Sequence, residues 1–328
     1  MEDGERACVY HQRRVGCRSP LRRSGAGRTV PAERRTNPEE IAVAVESGLQ
    51  ASVTTAVLTA AVAHATWNAI AHSIKDKFLA LALVGAGGAL FAAPLAVFAP
   101  TPAASAWPYL ASSVAVHLAY NLGLMQSYRL GDFSQTYPLA RGTAPLVVTV
   151  LAALFVGEVP TPTQIFGVAM VFLALSSLAL SGRAVAGRAE RWAVAAAICT
   201  GLTIAAYTVI DGVGVRRSGS PAGYVGWLIL LEGGAVALAA IAIRRGALID
   251  QVRPIWLPGL TGGGISLLAY GLVLWAQTRG ALAPISALRE TSIIAGALIG
   301  TIVFREQFGR ARVAASVFVA TGIVLLTL

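Results

Sequence analysis

The chain has 328 residues, of which 55% are hydrophobic and 13% charged, with a formal net charge of +10. A soluble domain carries roughly 25% charged residues, and a compact globule keeps too much surface in water to hide this much apolar side chain. Nine of the 26 basic residues lie in residues 1–35 and most others in short gaps between apolar runs, a placement that suits lipid headgroups and argues against a nucleic-acid partner.

Residues 1–50 are rich in Arg, Gly, Pro and Glu and show no helical period until about Ile41. Such a composition predicts a disordered, polar and basic tail. The arginine pairs at 13–14, 22–23 and 34–35 lack the apolar stretch and small-residue cleavage site of a twin-arginine signal. A start codon placed too far upstream would also yield a tail of this kind. Cys8, Cys17 and Cys199 have neither zinc-site nor disulfide-framework spacing. No cofactor and no metal are expected.

From Val53 onward one apolar run follows another. Runs are marked near 53–73, 78–99, 107–128, 133–156, 162–181, 191–213, 222–243, 255–277, 284–304 and 310–328. About 20 apolar residues at 1.5 Å each cross a bilayer as a helix. Spanning strands would be about half as long and alternate polar with apolar residues. The gaps carry breaks such as Lys75-Asp76-Lys77, Pro160-Thr161-Pro162 and Arg216-Arg217-Ser218-Gly219. The expected class is therefore all-α and integral to the membrane, with ten transmembrane helices. Gly85, Gly87, Gly88, Gly233, Gly234 and Gly262 to Gly264 are read as helix-packing positions, since close backbone approach is what holds helices together in lipid.

Two stretches repeat. Arg141-Gly142-Thr143 and Arg289-Glu290-Thr291 both lie near the start of an apolar run, and Glu158 and Glu306 each follow the Arg by 17 residues, an offset of 148 between copies. Upstream, Ala119-Tyr120-x-Leu122-x-Leu124 matches Ala269-Tyr270-x-Leu272-x-Leu274 at an offset of 150. Ten helices in two copies make five per copy. Five is odd, so the second copy enters the membrane from the opposite side. The predicted organisation is a tail (1–50), a first five-helix repeat (51–185) and a second (186–328). Proteins with inverted repeats commonly bind a solute near the midplane, between the copies.

On these motifs the chain resembles the drug/metabolite transporter superfamily, in its EamA-like branch, over roughly residues 53–328. The resemblance rests on Pro145, on Gly157-Glu158, and on Gln164 and Gly167 in the next helix; the second copy has Arg305-Glu306 but lacks the Gln and Gly. The resemblance implies an exporter or exchanger of small metabolites or drug-like solutes in the cell membrane, driven by an ion gradient or by counter-flow. A flippase for a lipid-linked substrate is the alternative, and an enzyme is not expected. Expected partners are a small-molecule solute, membrane lipids and, as an option, a second copy of the chain.

Ionisable groups inside spanning helices cost about 2.5–3.5 kcal/mol each on insertion scales, so each demands a reason. His64, Asn68 and His72 share one face of the first helix, beside Trp67. His117, Tyr120 and Asn121 repeat the pattern in the third. These stripes either line a cavity or bond to each other across helices. Arg141 and Arg289 either snorkel to headgroups or face a cavity and hold a carboxylate or phosphate. Glu232 is the most isolated charge in the chain. With Glu290 it is a candidate for ion coupling, and a buried ion pair with Arg141 or Arg289 is its other reading. Arg289 and Glu290 are not expected to pair, because adjacent helical residues point about 100° apart. Asp211 is placed at a membrane interface. Tyr207 and Tyr270 are candidate cavity residues, with Tyr224, Trp227 and Trp275 divided between a cavity and the interfacial aromatic belt. Substrate contacts are thus expected from Arg141, Arg289, His64, Trp67, Asn68, Asn121, Tyr207 and Tyr270.

Loop charges do not orient the chain. One set of loops holds Arg216, Arg217 and Arg279 against twelve basic residues in the other, which would place both termini outside. Counting the tail's nine arginines evens the split, while the family resemblance implies both termini inside.

Overall fold

The computed structural model describes residues 38–130, 133–180, 188–303 and 310–327, and among them there is no strand. The chain divides into two compact units, Met1–Ala44 and Val45–Leu328. Residues 1–37 of the expected tail lie outside the described residues, but helix begins at Pro38, so the last part of that stretch is helical.

Twelve α-helices follow in order among the described residues: α1 (Pro38–Ser73), α2 (Lys77–Phe98), α3 (Trp107–Leu130), α4 (Phe133–Phe155), α5 (Pro162–Leu180), α6 (Arg188–Arg217), α7 (Pro221–Arg244), the short α8 (Leu248–Val252), α9 (Trp256–Gln277), α10 (Leu282–Arg289), α11 (Ser292–Val303) and α12 (Arg310–Thr327). They follow the apolar runs closely, apart from the early start of α1 and two further differences. The run at 284–304 is two helices, α10 and α11, parted at Glu290–Thr291. There the amides of Glu290 and Thr291 bond to Ala287 and Leu288, three residues back, which tightens the backbone and turns it. Helix α6 runs on to Arg217, beyond the expected end at 213.

Local chemistry sets several ends. Asp76 caps α2 by accepting from the amides of Phe78 and Leu79 at 3.0 and 3.1 Å. Thr161 and Gln164 form a reciprocal box at the start of α5: the Gln164 side chain accepts from the Thr161 amide at 3.1 Å and the Thr161 hydroxyl from the Gln164 amide at 3.3 Å. Gly157, at φ +77°, ends the α4 turn in the left-handed region, and the Glu158 amide turns back onto the Ala152 carbonyl. The Gly-Glu and Gln of the resemblance thus have local structural work to do.

Four stretches are long and apolar enough to cross a membrane among the described residues: Lys77–Phe98, Arg191–Arg217, Pro221–Val252 and Trp256–Gln277. Their outer faces remain apolar. Only 22% of the Pro221–Val252 window is buried, and Val97, Phe98, Leu238, Ile243, Leu257 and Leu268 stand exposed. Water would not tolerate that much contiguous apolar surface; lipid does.

Helix α2 packs on α7 and α9, α6 on α3 and α4, and α5 on α4 and α12. Glycine makes the α2 contacts possible. A Cβ on Gly233 of α7 would fall 2.2 Å from the Gly85 carbonyl oxygen, and one on Gly263 of α9 would fall 2.3 Å from the Gly88 amide. These backbones touch, as the packing reading of those glycines requires. Gly234, by contrast, faces open space.

Loops meet around one guanidinium. Arg216, at the end of α6, donates to Glu158 Oε1 at 2.8 Å and to the carbonyls of Gln277 and Gly280, each at 2.7 Å. The other Glu158 oxygen accepts from the Leu282 amide at 2.7 Å, just where α10 starts. One clasp thereby ties the ends of α4, α6 and α9 to the first turn of α10.

Candidate functional site

Helices α1, α2, α3, α6, α7 and α9, together with the end of α10, line a partly open cavity of about 120 Å³. A single water needs roughly 10–15 Å³, so the space suits a small solute. Its polar lining comes from His64, Trp67, His117, Tyr120, Asn121, Tyr207, Glu232, Ser266, Tyr270 and Arg289. Apolar walls come from residues such as Ile229, Val236 and Val273, and the contact glycines Gly85, Gly88 and Gly233 also border it.

Each polar group is held by its own element. The Trp67 indole donates to His64 Nδ1 at 3.3 Å along α1. The His117 ring stacks on Tyr207, with centroids 3.9 Å apart and planes 24° from parallel. Its Nδ1 lies 3.1 Å from the Ser113 hydroxyl and 3.0 Å from the Ser113 carbonyl, one turn back on α3. Tyr270 meets the same imidazole edge-on, at 5.6 Å between centroids. Asn121 donates to Glu232 Oε1 at 3.2 Å, which joins α3 to α7 across the cavity. Glu232 has no ion-pair partner within 4 Å among the described residues, so its other reading as a bridge to Arg141 or Arg289 is not what the structure holds.

The arginines differ. Arg141 is 3% exposed and Arg289 4%, so neither snorkels to a headgroup. Arg141 Nε lies 2.8 Å from Glu290 Oε2, and its Nη2 donates to the Ser292 hydroxyl at 2.9 Å. Arg141 and Glu290 therefore form a buried pair between α4 and the α10–α11 break, behind the cavity wall. Arg289 lines the cavity itself. Its Nε is 4.0 Å from Glu290 Oε1, beyond hydrogen-bond reach, and its Nε and Nη2 have no hydrogen-bond partner among the described residues. No pair was expected of these neighbours on one helix, yet Arg289 and Glu290 stand at ion-pair distance.

Seven of the ten expected site residues are thus brought to one cavity: His64, Trp67, Asn121, Tyr207, Glu232, Tyr270 and Arg289. Asn68 is not among them. Its amide donates to the His64 carbonyl at 2.8 Å within its own helix. His72 is exposed at the end of α1, so the polar stripe reaches the cavity only at His64.

Asp211 is the clearest correction. It is 0% exposed, not interfacial. Its Oδ1 accepts from the Tyr224 hydroxyl at 2.9 Å, and its Oδ2 from the Tyr270 hydroxyl. Tyr224 is wholly buried with it, while Tyr270 carries the connection to the cavity lining. A carboxylate six residues from the end of α6, with Tyr224 thirteen residues on, was the available signal. Trp275 instead packs under Arg279, with the guanidinium carbon 4.2 Å from the ring centre, as an interfacial pair does.

No family model matches the sequence, and no curated protein does. A solved structure described only as the crystal structure of a protein is similar, with a TM-score of 0.65 over 84% of this chain and 96% of its own, at 18% identity. At that identity the likeness extends to the fold alone.

Proposed function

We propose that this chain is a multi-pass transporter of the cell membrane, EamA-like, with ten spans in two inverted five-helix repeats, and that it moves a small solute by alternating access. The observation that carries the reading is the cavity: a mostly apolar space with polar groups set into its walls, ringed by helices whose outer faces are apolar, and bordered by the end of α10 at the interrupted segment α10–α11. Interrupted helices supply binding groups at the midplane in transporters of inverted-repeat design.

Helix packing supports the repeat. If each helix of the first five matches one in the second, with α10 and α11 counted as one span, α2 matches α7 and α5 matches α12. Both pairs are in contact, and a two-fold relation would carry each contact onto itself. The matched Arg141 and Arg289 then approach Glu290 from opposite copies. Glu232 is the residue placed to couple solute to an ion, since it alone among the lining groups is a carboxylate. Glu290 serves Arg141 as counter-charge.

The test is flux. Proteoliposomes holding the purified chain are loaded with a metabolite extract, and efflux is read by mass spectrometry. At least one solute should leave faster than from empty liposomes, and Glu232→Gln should cut that rate at least tenfold, whereas Asn68→Ala leaves it within twofold. No flux above empty liposomes in any ion gradient would end the transport reading. Movement of lipid-linked substrates alone would turn it to a flippase.

A further inference from the structure

The clasp on Arg216 ties together chain from both predicted repeats. Glu158 belongs to the first and Arg216 to the second, at 2.8 Å. Further ties cross at the same end: the Ala103 amide donates to the Ser218 carbonyl at 2.9 Å, and Arg217 donates to the Tyr109 hydroxyl. Packed side chains lie between the clasp and the cavity. On α6, α7 and α9 the cavity takes Tyr207, Ile229 and Val273. On the clasp side of these, Val215, Leu228 and Leu274 are buried together with Leu110 and Tyr224. Leu282, whose amide Glu158 holds, is wholly buried with Val148 and Val209. A solute has no passage through such a layer while it stays packed.

Two properties mark the clasp as something that opens. Its ion pair is partly in water, with side chains 29% and 20% exposed against 4% and 0% for Arg141 and Glu290. Water can therefore replace its bonds at small cost, whereas the buried pair has no such substitute. The closed arrangement also leaves polar groups unmet on the elements it holds. Oε1 of Gln277, whose carbonyl Arg216 binds, and Oγ of Ser286 on α10 are buried without a hydrogen-bond partner among the described residues. Unmet polar groups in the interior favour an arrangement that wets them.

Helix α10 joins the clasp to the cavity. It has eight residues, about 12 Å at 1.5 Å each, and it is parted from α9 by residues 278–281 and from α11 at Glu290. Its first amide donates to Glu158, and its last residue, Arg289, lines the cavity. We propose that the Glu158–Arg216 pair is the latch of a gate that closes the cavity at this end, and that its release lets α10 swing as a unit and opens the packed layer to water. The proposal rests on the transport reading for the gate's purpose.

Thiol labelling tests it, on the full chain in lipid nanodiscs with Cys8→Ser, Cys17→Ser and Cys199→Ser. Val215→Cys, next to Arg216, and Ser286→Cys, on α10, are buried reporters. Ala80→Cys, buried near the start of α2 and away from the clasp, is the control. With the clasp intact, all three should react slowly with a charged maleimide. Glu158→Gln and Arg216→Gln should each speed both reporters at least tenfold and leave Ala80→Cys within twofold. Asp76→Asn breaks the Arg244–Asp76 pair and keeps the α2 cap, so it should leave both reporters within twofold. The proposal is overturned if either clasp variant leaves Val215→Cys or Ser286→Cys at its original rate. It is overturned too if Ala80→Cys speeds up alongside them, because the clasp then holds the whole fold together, or if Asp76→Asn has the same effect. These outcomes separate from those of the flux assay. Tenfold faster labelling without flux would sink transport and keep the latch, and flux with unchanged labelling would do the reverse.

Discussion

The two copies of Arg-x-Thr have opposite fates. In the first, Arg141-Gly142-Thr143 lies within the unbroken α4, and Arg141 is engaged by Glu290 and Ser292. In the second, Arg289-Glu290-Thr291 lies where the helix breaks, and Arg289 is left facing the cavity. The residue between Arg and Thr makes the difference. Gly142 has no room for anything larger, because a Cβ there would fall 2.7 Å from that of Leu175 on α5. Glu290 sits at the turn between two helices, wholly buried, with both arginines near it. One acid stands against two guanidiniums, close to Arg141 at 2.8 Å and at the edge of ion-pair range from Arg289 at 4.0 Å. A duplicated motif has become an asymmetric site through a single position.

The strongest way to break that comparison is Glu290→Gln. It leaves two buried guanidiniums without their carboxylate, and the loss of unfolding free energy should be about 3–5 kcal/mol, the usual cost of stranding a buried charge. Denaturant titration in mixed micelles measures it. A change under 1 kcal/mol would mean that Glu290 is not the counter-charge. Arg141→Gln should cost less, about 1–3 kcal/mol, because Arg289 at 4.0 Å remains to take up the freed carboxylate. If Arg141→Gln proved the more damaging of the two, Arg289 would not be available as a partner and the asymmetry would be wrongly drawn. Gly142→Ala should be the mildest, about 1 kcal/mol of overpacking against Leu175, read in the same titration. A neutral or stabilising Ala would show that steric exclusion is not why the first copy lacks an acid.

Much of this was legible in sequence, and the misses have physical reasons. Run ends matched helix ends because Pro162, Asp76 and Gly157 act locally, through caps and a left-handed turn. The break in α10–α11 was not read from the sequence, because hydropathy summed over a whole run hides the short polar stretch Arg289-Glu290-Thr291-Ser292 within it. Asp211 was misplaced because Arg216-Arg217 read as a polar gap. In the fold, Arg216 is absorbed by Glu158 and two carbonyls, so the helix continues and Asp211 lies deeper. The matched arginines were visible as a pair of positions. Which one sits closer to Glu290 depends on a contact between distant segments, and no local pattern carries that information.

The Arg141–Ser292 bond joins residues 151 positions apart, and Glu290 comes almost as late. During synthesis, Arg141 is made long before either partner exists. The first half of the chain therefore carries a cation whose counter-charge belongs to the later half. That charge is matched only when α10 and α11 arrive, so completion of the chain and pairing of Arg141 are one event.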